Sequence, residues 1–74
     1  MIKAIGEMQN ESGKDYQLAN FVLSVYDVDG NLLETGYINI SYFNNGSTKR
    51  FDAIIGEVHL KQIKNFKIQF ENGF

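Results

Sequence analysis

Apolar and polar side chains alternate along much of this 74-residue chain, and this alternation constrains the fold more than any other feature. In the most regular stretch Phe21, Leu23 and Val25 share one face, while Asn20 and Ser24 fall on the other. Successive side chains of a β-strand point to opposite faces, so a period of two predicts strands with one buried face and one face in water. The same pattern recurs several times. The predicted strands are Ile2–Met8, Leu18–Tyr26, Leu32–Ile40, Thr48–Ile55 and Phe66–Phe70.

Turn-forming residues separate these stretches. Asp29-Gly30 can take the positive φ angles of a tight hairpin, so it predicts a turn between the second and third strands. The segment 58–63 fits either a sixth strand or a helical turn. We expect an all-β fold, a small antiparallel immunoglobulin-like β-sandwich of about six strands. Residues 1–74 form one domain at most, either a whole protein or a domain excised from a longer chain.

Composition excludes several classes of function. There is no cysteine, so the chain can form neither disulfides nor thiolate metal sites. The net charge of −2 offers no basic field for nucleic acid, and no apolar stretch approaches the ~20 residues of a membrane-spanning helix. We expect no signal peptide in the first residues, because Met1–Gly6 lacks a basic region followed by a long apolar stretch. We therefore expect a cytoplasmic protein, or an extracellular or cell-surface domain if the chain belongs to a longer exported protein.

Candidate reactive groups are sparse. His59 is the only histidine, its nearest carboxylate is Glu57, and no serine lies in a nucleophile elbow. Asp27–Asn31 resembles a calcium loop, but its Gly30 stands fourth where the EF-hand pattern has its glycine sixth. The sequence predicts no enzyme, no cofactor and no metal site, with an ordinary turn at Asp27–Asn31. A weak calcium site there remains the alternative.

Four apolar side chains are predicted to lie outside the core. If Phe21 and its neighbours face inward, Val22 and Tyr26 face outward, and Leu33 and Tyr37 are their expected neighbours on the paired strand. We expect Val22, Tyr26, Leu33 and Tyr37 to form an apolar patch, either covered by another part of the fold or open to a partner. An open patch would suit another protein or a second copy of the chain.

The chain resembles the FxLYD domain, a small bacterial and archaeal family for which no catalytic residues are known. The matching segments are Leu23-Ser24-Val25-Tyr26-Asp27 at the name motif, Gly6 to Ser12 before it, Asp29-Gly30 after it, and Gly46 ahead of Phe51. In the name motif Leu23 replaces Phe and Val25 replaces Leu; Asn45-Gly46 stands where the family has Pro-Gly. The resemblance covers about residues 5 to 53. It implies an immunoglobulin-like β-sandwich, often found beside other domains in lipoproteins and surface proteins.

These observations favour binding over catalysis. Our leading hypothesis is a non-catalytic binding or adaptor domain of a bacterial surface or multi-domain protein, with no nucleic-acid partner. The alternatives are a structural spacer between domains and a weak calcium-binding module. A fold class alone does not choose among them, since sandwiches support many functions.

Overall fold

The computed structural model describes residues 2–56 and 60–74, without the side chain of Leu60. Within these residues the chain is all-β, as predicted, with five strands in two antiparallel sheets. The strands are β1 (Ile2–Gln9), β2 (Tyr16–Tyr26), β3 (Leu32–Phe43), β4 (Thr48–Gly56) and β5 (Asn65–Gly73). All five predicted strands are present, and each extends at most three residues beyond its predicted bounds at either end.

The count of about six strands is not reached in the described part of the chain. A 3-10 turn at Leu60–Gln62 occupies part of the ambiguous segment, which agrees with the helical alternative there. Val58, which together with Leu60 favoured the strand alternative, lies outside the described residues.

The two sheets differ in width. One sheet contains β1 and β4, and the other has the order β3-β2-β5. The β2–β3 hairpin turns at Gly30, whose φ of 83° matches the turn predicted for Asp29-Gly30. The chain then passes through a second turn, in which Gly46 has a φ of 84°, into β4. The strand β4 runs back along β3 and carries the chain to the other sheet.

The corner between the sheets depends on a close backbone approach. A Cβ atom placed on Gly36 of β3 would lie 2.8 Å from the backbone oxygen of Ile54 in β4. Only glycine leaves room for two strands to meet at this distance. The strand β1 runs in the same direction as β3, because β1 is antiparallel to β4 and β4 runs back along β3. The strand β5 also runs in that direction, because β3 and β5 are both antiparallel to β2.

The core lies between the two sheets and contains the alternating residues that the sequence places inward. It is formed by Ala19, Leu23, Val25, Ile38, Ile40, Phe43, Ala53 and Ile55. Phe51 joins Ala53 and Ile55 on the inner face of β4, and Ile2, Ala4 and Met8 do the same on β1. Each fully buried aliphatic side chain contributes about 1.5–3 kcal/mol through loss of contact with water.

Two irregularities in β3 depart from simple alternation. Val25 pairs with Glu34 but Tyr26 pairs with Leu32, so Leu33 is an extra residue in a β-bulge. The bulge exchanges the expected faces: Leu32 is exposed and Leu33 packs against the core. At the other end of β3 Tyr42 has a φ of 53°, which leaves Tyr42 in solvent and lets Phe43 turn inward.

Candidate binding site

The predicted apolar patch is assembled only in part. Val22 and Tyr37 are direct cross-strand neighbours on the outer face of β2 and β3, and Tyr37 is 65% exposed. Tyr26 lies further along the same face of β2 and is half-buried. Leu33 does not join them, because the bulge turns it to the core. The outer face thus carries three of the four predicted residues, with Thr35, Asn39 and Ser41 also on the outer face of β3.

A larger apolar surface lies on the other side of the molecule. A cleft of about 520 Å³ opens between β1 and β5, where the two-stranded sheet leaves part of the wider sheet uncovered. Its walls are Ile2, Ala4 and Met8 from β1 and Phe66 and Ile68 from β5, and its floor includes core residues of β2 and β4. We call this feature the β1–β5 cleft. Its size is within the usual range of about 300–1,000 Å³ for ligand sites.

The aromatic side chains of β5 belong to the inner face but remain open. Phe66, Ile68 and Phe70 lie opposite Val25, Leu23 and Phe21 in register, as the alternation predicts. Nevertheless Phe66 is 63% exposed and Phe70 is 51% exposed, because no strand of the other sheet covers them in the described residues. The sequence pattern correctly gives the face of these residues. Their exposure depends on the relative widths of the two sheets, which the pattern does not contain.

Both strands that flank the cleft have one free edge. In the described residues β1 pairs only with β4, and β5 pairs only with β2. The free edge of a strand presents unpaired N–H and C=O groups that can accept a further strand. Since β1 and β5 run in the same direction, one added strand can be antiparallel to either of them. An apolar cleft between two such edges can therefore bind extended polypeptide.

Asn10, which directly follows β1, has a buried side-chain amide. Asn10 is 4% exposed, and its Nδ2 donates to the carbonyl oxygens of Lys14 at 2.8 Å and Phe43 at 2.9 Å. Its Oδ1 accepts hydrogen bonds from the backbone N–H and the hydroxyl of Ser12. The backbone of Asn10 also pairs with Ser47 and Gly46. Every polar atom of this amide has a partner, so the residue joins the β1–β2 loop to the β3–β4 connection and offers nothing to a ligand.

The Asp27–Asn31 segment is a turn held together by its own carboxylate. One oxygen of Asp27 accepts backbone N–H groups from Asp29 and Asn31, both at 2.9 Å, and the other accepts the side-chain amide of Asn31 at 3.3 Å. The hydrogen bond from the Asn31 backbone is the main cause that lowers the pKa of Asp27, since it stabilises the charged form. These bonds hold the turn in its shape through side-chain and backbone groups of the chain alone.

Reactive groups are not gathered elsewhere in the described residues. Across 2–56 and 60–74 no three acidic, histidine or cysteine side chains are placed to hold a metal ion. The pair of Glu57 and His59 considered from the sequence lies outside the described residues. The β1–β5 cleft was not among the sites predicted from the sequence. A usable signal was present in β5, where three large apolar residues alternate on a strand with a free edge.

Comparison of the chain with protein-family models, with curated proteins and with solved structures finds no match. In the part of the chain that the structure describes, no helix has the length and apolar character needed to cross a bilayer.

Proposed function

We propose that this chain is a non-catalytic binding domain that holds an extended segment of polypeptide along the β1–β5 cleft. We also propose that it is an immunoglobulin-like sandwich related to the FxLYD domains. The strand motif at residues 23–27 and the two facing sheets support that relationship. A role as an adaptor in a bacterial surface or multi-domain protein is part of the same proposal.

The observation that carries the binding proposal is the apolar cleft bordered by two free strand edges. An added strand gains main-chain hydrogen bonds from an edge, and pockets for alternate side chains provide specificity. The exposed rings of Phe66 and Phe70 supply large apolar surfaces beside the edge of β5. A segment with apolar side chains at every second position would place them into the cleft and keep the intervening side chains in water.

A peptide titration tests this proposal. The ligand is a peptide of about eight residues in which Val alternates with Thr, and its control has the same composition with all Val residues grouped together. We expect calorimetry to detect tighter binding of the alternating peptide. Phe66→Ser should weaken that binding, because Phe66 forms part of the cleft wall.

The matched control is Phe74→Ser. Phe74 is 72% exposed, similar to Phe66 at 63%, but it does not line the cleft. Its substitution should leave the titration unchanged. Equal binding of both peptides, or equal effects of the two Phe substitutions, would contradict a strand-binding cleft.

A structural spacer is the second candidate, and one observation favours it. Because β1 and β5 run in the same direction, the start of β1 and the end of β5 lie at opposite ends of a molecule 36 Å long. This arrangement suits a domain placed in line between two others. Small-angle scattering of the chain fused between two folded domains would show them held apart; a collapsed or freely varying separation would contradict the spacer role.

A further inference from the structure

The strand β1 has an edge suited to a partner of defined sequence. From Lys3 to Gln9 it pairs with β4 without interruption, and the chain contains no proline to block its free edge. Lys3, Ile5 and Glu7 face outward, and Ile5 is 60% exposed. Natural proteins usually protect an edge of this kind with charged side chains, a bulge, a proline or a cover. In the described residues β1 has two charged side chains, Lys3 and Glu7, and one register shift against β4, between Ile2 and Lys3, so its edge is regular from Lys3 to Gln9.

The charges of β1 are complementary to their own reversed order. Lys3 and Glu7 stand two residues before and two residues after Ile5. Antiparallel pairing of two β1 strands centred on Ile5 therefore sets each Lys3 opposite the Glu7 of the other strand. The two Ile5 side chains meet at the centre. Opposite charges and apolar side chains placed directly across an antiparallel pair stabilise it.

The neighbouring strand extends the same alternation of charge. Arg50 of β4 lies directly opposite Glu7, and Asp52 of β4 contacts Lys3 at 3.8 Å. With a second β1 strand added, a row across the first three strands reads Arg50, Glu7 and Lys3 of the second copy, with alternating signs. Asp52 of the second copy lies diagonally from that Lys3 and contacts it. A parallel pairing in register would instead set Lys3 against Lys3, and like charges directly opposite are destabilising.

The edge of β5 is less suitable. Phe21 pairs with Phe70 but Asn20 pairs with Asn72, so Glu71 is an extra residue in a bulge. Bulges bend and twist an edge and interrupt further pairing. The regular edge of β1 is therefore the better place for an added strand.

We infer that the polypeptide bound by this domain is a second copy of the chain, paired antiparallel through β1 about a two-fold axis at Ile5. The inference rests on the proposed function, because it names the strand that occupies the edge of the cleft. Two β1–β4 sheets become one four-stranded sheet, and the interface is isologous. The apolar inner face of each β1 is extended by the Ile2, Ala4 and Met8 side chains of the other copy.

A cysteine cross-link tests the register. The chain has no cysteine, so Ile5→Cys introduces a unique thiol. In the dimer the two Cβ atoms at this position lie about 4.5–5.5 Å apart, close to disulfide geometry. We expect mild oxidation to give a covalent dimer at concentrations of about 100 µM, where a micromolar dimer is populated.

Ile54→Cys is the matched control. Ile54 is 56% exposed on the same outer face, but it lies on β4 beside Lys3. In the four-stranded sheet the two β4 strands are three spacings apart, about 14 Å, which is too far for a disulfide. We expect little cross-linking of this variant. Equal cross-linking at both positions would indicate random collision and overturn the proposed register.

Charge-reversal variants distinguish a specific loss of the dimer interface from a general loss of folding. Lys3→Glu places two glutamates opposite each other in both charged pairs of the dimer, and Glu7→Lys places two lysines there. We expect sedimentation to show that each variant alone associates about tenfold more weakly or worse, since two pairs of like charge replace two attractive pairs. An equimolar mixture should recover the dimer, because every pair is then opposite in charge. Failure of the mixture to recover would overturn the inference.

The outcomes also distinguish this inference from the proposed function. A wild-type chain that stays monomeric at about 1 mM, yet binds the alternating peptide and loses that binding in Phe66→Ser, would refute the second copy as occupant and leave the strand-binding function standing. A monomer that also fails the peptide titration would refute both.

Discussion

At the scale of single residues, Asp27 links a turn to the acid stability of the chain. Its pKa is lowered from the ordinary value of 3.8 because backbone N–H groups stabilise the carboxylate. A lowered pKa in the folded state contributes stability above the unfolded value, and that contribution is lost as the pH falls through the folded value. The protein should therefore lose stability on acidification from about pH 5 to pH 2.

Asp27→Asn should reduce this acid dependence, because the amide keeps an acceptor oxygen but does not titrate. Chemical denaturation at several pH values measures the effect. Asp29→Asn is the control, since Asp29 contributes only its backbone N–H to the turn. An acid dependence that Asp27→Asn leaves as steep as in the wild type would show that the carboxylate is not its source.

Asn10 is expected to be the most sensitive polar residue. Asn10→Ala would leave the carbonyl oxygens of Lys14 and Phe43 without their donor. We expect a loss of about 2–3 kcal/mol in the free energy of unfolding, because the buried Phe43 carbonyl and the partly buried bond to Lys14 both lose the Asn10 donor. Asn39 is exposed on the outer face of β3, so Asn39→Ala should change stability by less than about 0.5 kcal/mol. Similar losses in both variants, measured by urea denaturation, would contradict the structural role assigned to Asn10.

At the scale of the strands, Gly36 controls the corner where β3 meets β4. In Gly36→Ala the new Cβ would lie 2.8 Å from a backbone oxygen, so one strand must move. We expect a loss of about 1–3 kcal/mol in stability, the usual range for overpacking. In Gly6→Ala the nearest atom is the far end of the Phe51 ring at 2.9 Å, which can shift more easily. Thermal unfolding should therefore rank Gly36→Ala as the more damaging change, and the reverse order would contradict the account of the corner.

The strands also show how far the sequence determines the structure. Alternation predicts all five strands and the inward faces of β1, β2 and β4. A strand with one buried face needs an apolar residue at every second position, and this repeat is visible in the sequence. Alternation does not predict that Leu32 faces solvent and Leu33 faces the core. A single extra residue in a bulge reverses the faces of its neighbours, and no residue type in the sequence signals the bulge. The candidate site was missed for a related reason: the cleft arises from how many strands each sheet has.

At the scale of the whole molecule, the core is small, so association of two copies should measurably raise the midpoint of thermal unfolding. Among the described residues, eight buried hydrophobic side chains form the core, and domains this short are marginally stable alone. If the dimer forms through β1, the midpoint of thermal unfolding should rise with protein concentration, because binding stabilises only the folded state. The Lys3→Glu variant should show little dependence on concentration. Calorimetry measures both midpoints. If the midpoint rises with protein concentration equally in the wild type and in Lys3→Glu, a dimer through β1 is contradicted.

The shared direction of β1 and β5 has a mechanical consequence. Tension applied through the start of β1 and the end of β5 acts along the strands and across the hydrogen bonds that join β1 to β4 and β5 to β2. The bonds of a ladder are then loaded together in shear, whereas a hairpin pulled open from one end breaks them one after another. A small β-domain loaded in this way can resist being pulled apart far better than its modest core would suggest.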